Sequence, residues 1–363
     1  MNATIHDYGR MLEDFAVGET YAHPWEVTVD AGAVALFQAN FLDATPTYAS
    51  ARYAKDLGLE GRPIHPLLLL NYGLSFSVHD VSEQAIAHLA YIGVRFPEAC
   101  YVGETLTATS KVLSAKATSA GDRGVVHVAT VLRGEGDKVV CAFERKALVR
   151  AGKLTTRPDP GFGPVRELPV PEDRLPAAMR DRLAMPQRNF GFAGFAEDFE
   201  PGRVFVHACG KTVEGAEHQQ LTFLVRNTHP LHFDEVYCKA GASFAGTRVV
   251  YGGLVLSWVA TLASRDTLGN AVWDLGLDNG AHPNGVVAGD TLFAASKVIA
   301  REPHDAKSSK VTFRLVGTKN VRADVLLAQG ADLFTSELAK KDGKVKEKVV
   351  EIDRTVLVKN RRA

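Results

Sequence analysis

The residues best equipped for chemistry gather in one loop, Val225-Arg226-Asn227-Thr228-His229-Pro230-Leu231-His232-Phe233-Asp234-Glu235. Histidine is the side chain that gives and takes protons near neutral pH, which makes His232 a candidate general acid–base. His229, His232 and Asp234 stand at H-x-x-H-x-D spacing, a pattern that also suits a metal ion. The kink at Pro230 accounts for the spacing without a metal. Asn227 can hold a water, or can turn the chain by bonding local backbone. Arg226 and Arg248 carry planar forks that match a carboxylate, although a salt bridge to a neighbouring acid is the ordinary fate of an arginine. Gly252-Gly253 opens an apolar run that ends at Ala263. A helix starting there has unpaired N–H groups and a positive dipole end; close packing on a sheet is the plainer reason for the glycines.

These residues sit in a chain of 363 residues and 39.2 kDa, long enough for two domains. Apolar residues make up 46% and charged residues 23%, the mix of a globular protein. Lys+Arg and Asp+Glu balance at 42 each, which disfavours a nucleic-acid surface but leaves room for a local basic pocket. Cys100, Cys141, Cys209 and Cys238 are far apart in sequence with no C-x-x-C pair, so neither a disulfide framework nor a thiolate metal site is expected. That usage, with no apolar signal core at the N-terminus, fits the cytoplasm. Val249 to Ala263 is too short to span a bilayer and reads as a buried helix.

An internal repeat organises the chain. Asp14-Phe15-Ala16-Val17-Gly18 recurs as Asp198-Phe199-Glu200-Pro201-Gly202, and Pro46 and Tyr53 recur as Pro230 and Tyr237, all at a shift of 184. The shift then becomes 186: Arg62 to Leu68 falls on Arg248 to Leu254, Pro97 on Pro283, and Gly103-Glu104-Thr105-Leu106 on Gly289-Asp290-Thr291-Leu292. Residues 1–152 and 191–363 are therefore two copies of one unit. Residues 153–190 join them as a proline-rich linker, with seven of the sixteen prolines between Arg157 and Pro186. Proline at that density predicts an extended connection.

Each copy is expected to hold a small helix (Ala49–Leu57; Glu235–Ala242) and a long apolar helix (Pro66–Val81; Gly252–Thr267). Strands are expected at Ala87–Phe96, Glu104–Ser114, Gly124–Arg133 and Lys138–Val149, and in the second copy at Thr291–Ala300, Ser309–Thr318, Ala323–Gln329 and Val349–Val358. The charge run Lys340–Lys348 reads as a solvated hairpin. One helix wrapped by an antiparallel sheet is the α+β arrangement called a hotdog, and two fused copies make a double hotdog.

The second-copy loop resembles the S-G-D-x-N-P-x-H-x-D signature of MaoC-like, (R)-specific enoyl-CoA hydratases. Phe41-Leu42-Asp43-Ala44-Thr45-Pro46-Thr47-Tyr48 is a drifted first-copy version. Both copies keep the family's G-R-x-x-H-G-x-L helix entry in altered form. The resemblance implies that an acid and a histidine activate one water against the β-carbon of an enoyl thioester, and that the backbone N–H of the helix-entry glycine binds the thioester oxygen. On this pattern His232 is the base, Asn227 stands where the family has Asp, and Gly252 supplies the N–H. The first copy has Asp43 but Tyr48 in place of histidine, and Pro66, without an N–H, in place of glycine. The working site is therefore expected in the second copy.

Asp43 reads first as structural; alternatively it, or Asp234, replaces the missing acid. Arg226, Arg248 and His229 are the substrate-binding candidates. The substitutions look most like members that hydrate mesaconyl-CoA to β-methylmalyl-CoA, without a cofactor or metal beyond the coenzyme A of the substrate. The rivals are a hydratase for itaconyl or fatty enoyl-CoA, a hotdog thioesterase, and a non-catalytic acyl-CoA-binding module. Neither nucleic acid nor membrane is an expected partner, and assembly beyond the fused pair, a homodimer included, stays open.

Overall fold

The computed structural model describes residues 7–152, 175–182, 185–186 and 194–361. Two copies of one α+β unit share a single antiparallel sheet. The first copy contributes β1 (Thr20–Thr28), β2 (Ala85–Arg95), β3 (Thr105–Ala117), β4 (Arg123–Arg133) and β5 (Val139–Arg150). The second contributes β6 (Val204–Val206), β7 (Lys211–Thr212), β8 (Ala271–Ala281), β9 (Thr291–Pro303), β10 (Ser308–Lys319) and β11 (Lys348–Lys359). The strand order is β1-β3-β4-β5-β2-β8-β11-β10-β9-β6, with β7 also on β9. Tyr91 pairs with Gly280 and Val94 with Leu277, which a shift of 186 interchanges. The β2–β8 seam is therefore self-complementary about a pseudo-twofold axis, and each copy closes the sheet edge the other would expose.

The central helices, Pro66–Phe76 and Gly252–Leu262, lie against this sheet and are buried along nearly their whole length. Leu, Val and Trp on all sides suit a helix enclosed by sheet and partner helix. They meet at the axis, where Asn71 Nδ2 donates to Ser257 Oγ at 2.9 Å; Asn71 and Ser257 are equivalent positions. Gly253 permits the approach, because a Cβ there would lie 2.1 Å from Asn71 Oδ1.

A second duplicated device ties sheet to helix end. His23 bridges Asp80 (2.8 Å) and Ser110 (2.7 Å), and His207 bridges Asp266 (2.6 Å) and Ser296 (2.9 Å). The histidines and serines of both clamps are buried, Asp80 is buried and Asp266 is exposed, and sequence reading missed them.

Several expectations need correction. Ala323–Gln329 is not a strand but a helix, Ala323–Ala328, whose good helix formers bury Ala323 and Leu326 on one face. The fourth long strand of the second copy is instead β8, which sequence reading passed over. The long helices are shorter than expected: a π-helical turn, Val78–Ser82, follows the first, and a separate turn, Ser264–Thr267, the second. The small helices also break in two, Pro46–Ala49 and Ala51–Asp56 in the first copy. Most of the proline-rich linker lies outside the described residues. The described part holds a short helix, Ala177–Arg182, which buries Met179 beside Leu175 and Met185 against Tyr48 and Trp273. Pro176 sits before its first turn, where the missing N–H costs nothing. The run Lys340–Lys348 is not a solvated hairpin: only Lys348 is in a strand, opening β11 opposite Thr318, and it is buried with Nζ 2.5 Å from Glu351.

Gly253→Val should force the central helices apart and lower the unfolding free energy by about 1–3 kcal/mol. Urea denaturation checks this; an unchanged midpoint contradicts the close approach.

Candidate active site

The second-copy loop, the entry of the second central helix and the first copy's β2, β5 and helix end enclose a cavity of about 320 Å³. Asn227, His229, His232, Tyr251, Gly252 and His282 come from the second copy; His88 and Arg145 come from the first. The loop is pinned across the two copies. His229 Nε2–H donates to the Ala85 carbonyl of β2 (3.1 Å), its Nδ1 accepts from Leu231 N–H (3.2 Å), and Thr228 Oγ1 donates to Glu83. Both His229 nitrogens are thus committed to holding the loop.

That anchoring orients the remaining groups. Asn227 Oδ1 accepts from His229 N–H at 3.0 Å, which fixes the amide orientation and leaves Nδ2 as the donor for a water. His232 Nδ1–H donates to the Val249 carbonyl at 2.8 Å, so the lone pair is on Nε2. Gly252 is the first residue of its helix, and its N–H has no acceptor among the described residues. A Cβ at Gly252 would lie 2.9 Å from His282 Nε2, a ring that also bonds the Tyr91 hydroxyl at 3.0 Å.

Among the described residues no carboxylate lines this cavity. Burial, reinforced by the neighbouring His229, pushes His232 down to about 3. Burial takes His229 to about 4 and His282 to about 4; burial, then Arg145, takes His88 to about 3. Arg145 is 4% exposed, and burial lowers even its guanidinium to about 10.

The other sequence candidates lie elsewhere. Asp43 is in a separate cavity of about 160 Å³ in the first copy with Phe37, Gln38, Phe41, Tyr48 and His65. Its carboxylate meets His65 Nε2 at 3.1 Å and is held below its ordinary pKa despite burial. It does not stand in for the acid missing at Asn227. Asp234 caps the short helix Glu235–Tyr237. Arg226 is exposed at a positive φ of 64°, and Arg248 is engaged by Gln219 and Glu235. Neither arginine lines the cavity, and His229 and Asp234 do not converge on a metal position. Sequence reading missed Arg145, His88, Tyr91, Tyr251 and His282. The signal for Arg145 was available: it shares strand parity with buried Cys141, Phe143, Ala147 and Val149, an arginine on an apolar face.

Two fused hotdogs with one histidine-bearing loop over a helix N-terminus define a double-hotdog hydratase of the MaoC type. A MaoC domain dehydratase from Chloroflexus aurantiacus superposes with a TM-score of 0.81 at 31% identity, covering 99% of this chain and 100% of that one. A Mycobacterium tuberculosis protein described as a double hotdog superposes at 0.71 with 22% identity, covering 96% and 98% of the two chains. The chain belongs to the mesaconyl-CoA hydratase family, whose model matches residues 2–329. It is 35% identical over 321 residues to the β-methylmalyl-CoA dehydratase of Chloroflexus aurantiacus, covering 86% of this chain and 89% of the relative. It is 33% identical over 321 residues to the mesaconyl-CoA hydratase of Cereibacter sphaeroides, covering 86% and 90%.

The cavity histidines make a pH prediction. Folding depresses His88, His229, His232 and His282 from the ordinary 6.5 to about 3 or 4. The unfolded chain therefore takes up protons that the folded chain refuses. Stability is whole above pH 6.5 and is lost as pH falls toward the folded values. Each histidine should remove up to about 1.4 kcal/mol per pH unit in that window. Urea unfolding at pH 7, 6 and 5 reads it; a flat stability across that range contradicts neutral burial.

Proposed function

We propose that this protein reversibly adds water to mesaconyl-CoA to give β-methylmalyl-CoA. The observation that carries the reading is one cavity holding a histidine with a free Nε2, an unpaired helix-entry N–H and a buried arginine, with no carboxylate on its walls among the described residues. The family membership and the names of the relatives support the same substrate.

In this reading Asn227 Nδ2 and His232 Nε2 hold the attacking water. His232 takes a proton as the oxygen bonds to the β-carbon. The electron pair moves through the double bond to the thioester oxygen, where the Gly252 N–H stabilises the enolate charge. The imidazolium then returns the proton to the α-carbon, so one water is added and no redox change occurs. No metal or cofactor enters beyond coenzyme A, and the cytoplasm is the proposed setting. The described residues contain no helix long and apolar enough to cross a membrane.

His232→Ala should lower kcat by about 10²–10⁴-fold, the usual weight of one general acid–base. Tyr48→Phe, in the first copy, serves as a control expected within about twofold of the native rate. Loss of enoyl-thioester absorbance across a panel of enoyl-CoAs measures both; near-native turnover by His232→Ala moves the site elsewhere.

Asn227→Asp tests why the family's acid is missing. A fixed carboxylate beside an anionic acyl group costs appreciable energy at about 4–6 Å. The variant should lose more kcat/KM on mesaconyl-CoA than on crotonyl-CoA, which lacks the carboxylate. Equal gains on both substrates would make Asn227 a turn residue rather than an adaptation to charge.

A further inference from the structure

The geometry points to Arg145 as the group that binds the free carboxylate of the acyl chain, freed for that task because His88 stands where the other half of the molecule has an acid. This rests on the acyl-CoA reading above and names the polar contact that selects within that class.

The duplication supplies an internal control. In the second copy Arg354 on β11 pairs in register with Leu277 of β8, and Asp274 pairs with Val356. In the first copy Arg145 on β5 pairs with Tyr91 of β2, and His88 pairs with Ala147. A shift of 186 takes His88 to Asp274 and Tyr91 to Leu277, and a shift of 209 takes Arg145 to Arg354 and Ala147 to Val356. The two arginines thus occupy one position of the fold, as do His88 and Asp274.

Their partners differ. Arg354 Nε meets Asp274 Oδ1 at 2.6 Å, with both side chains 4% exposed or less. Arg145 has no carboxylate partner among the described residues. Its Nη2 donates to Ser77 Oγ (2.8 Å) and to the Ser77 carbonyl (3.3 Å), while Nε is buried with no acceptor. His88 spends Nε2–H on the Ala90 carbonyl at 2.8 Å. A guanidinium withdrawn from water calls for a carboxylate, and both Arg145 and His88 line the cavity that holds His232 and Gly252. The fold's own Asp274–Arg354 pair shows that a carboxylate fits this position of the scaffold. In the working half the ligand brings it. An acyl group without a carboxylate would leave the buried cation unsatisfied, which is how a site of this kind discriminates.

Two substitutions test this from opposite directions. Arg145→Met removes the cation at similar length. His88→Asp keeps the cation and supplies the acid already found at Asp274, so that Arg145 is satisfied within the protein. The probes are succinyl-CoA and butyryl-CoA, saturated thioesters that differ by the terminal carboxylate, with dissociation constants read by calorimetry on the full chain. The native protein should prefer succinyl-CoA, and each substitution should cut that preference by roughly 10–100-fold, the value of a charge-assisted contact. Should Arg145→Met fail to fold, His88→Asp carries the test alone, since it copies a pair the fold already holds. A native preference that survives both substitutions, or a native protein with no preference, overturns the role of Arg145. A native protein that keeps an Arg145-dependent preference yet does not hydrate mesaconyl-CoA overturns the proposed substrate and leaves this role standing.

Discussion

Strands β2 and β8 exchange backbone hydrogen bonds about the pseudo-twofold axis, and the cavity under the second-copy loop is lined by both of the copies that this pairing joins. Its floor and one wall belong to the first copy and its chemistry-bearing loop to the second. The loop is held across the boundary as well as within its own copy, His229 to Ala85 and Thr228 to Glu83. The copy that lost the loop residues therefore still completes the site. This accounts for the near-perfect burial of both central helices: the Asn71–Ser257 contact and Gly253 set how closely the copies approach, and that distance sets the cavity.

Electrostatics in the cavity are unusual for a place where a base must work. With His232 depressed to about 3, the empty site holds a weak base. Arg145 adds a buried positive charge that opposes protonation of His88 beside it. An anionic acyl group changes both terms. In the proposed complex its charge would satisfy the guanidinium, and a negative charge in this cavity favours the imidazolium form of a histidine. A neutral Asn227 belongs to the same balance, since a carboxylate there would hold the imidazolium but repel the ligand.

The duplication, the double-hotdog architecture and the loop carrying Asn227 and His232 were legible in the sequence, because proline, glycine and an Asp-Phe pair recur at matched offsets and the loop keeps a positional motif. Two kinds of information were not legible. Ala323–Ala328 reads as β-prone by hydrophobicity, whereas its i, i+3 burial needs the tertiary packing to be seen. Arg226 and Arg248 drew attention by being near the loop in sequence. The cation that reaches the cavity, Arg145, comes from a strand about 80 residues upstream of the loop, and only the sheet register brings it there. Asp43, read first as structural, keeps the family's residue in a cavity of its own beside His65.

One scaffold position can thus be read twice in the same molecule. Tyr48 in the first half answers to His232 in the second, Pro66 to Gly252, and in the sheet Asp274 answers to His88. Each first-cavity choice closes off a function. Tyr48 buries its ring and accepts from Asp274 N–H through its hydroxyl, Pro66 removes the N–H, and Asp274 neutralises Arg354. The same three positions in the second cavity leave His232 Nε2 and the Gly252 N–H free and, with His88 in place of an acid, leave Arg145 without a carboxylate among the described residues. Buried charges are normally paired, so the contrast between Arg145, without a carboxylate among the described residues, and Arg354, paired with Asp274, supports the reading that the second cavity is the one kept for a ligand. The satisfied half meanwhile supplies the packing that makes an unsatisfied half tolerable.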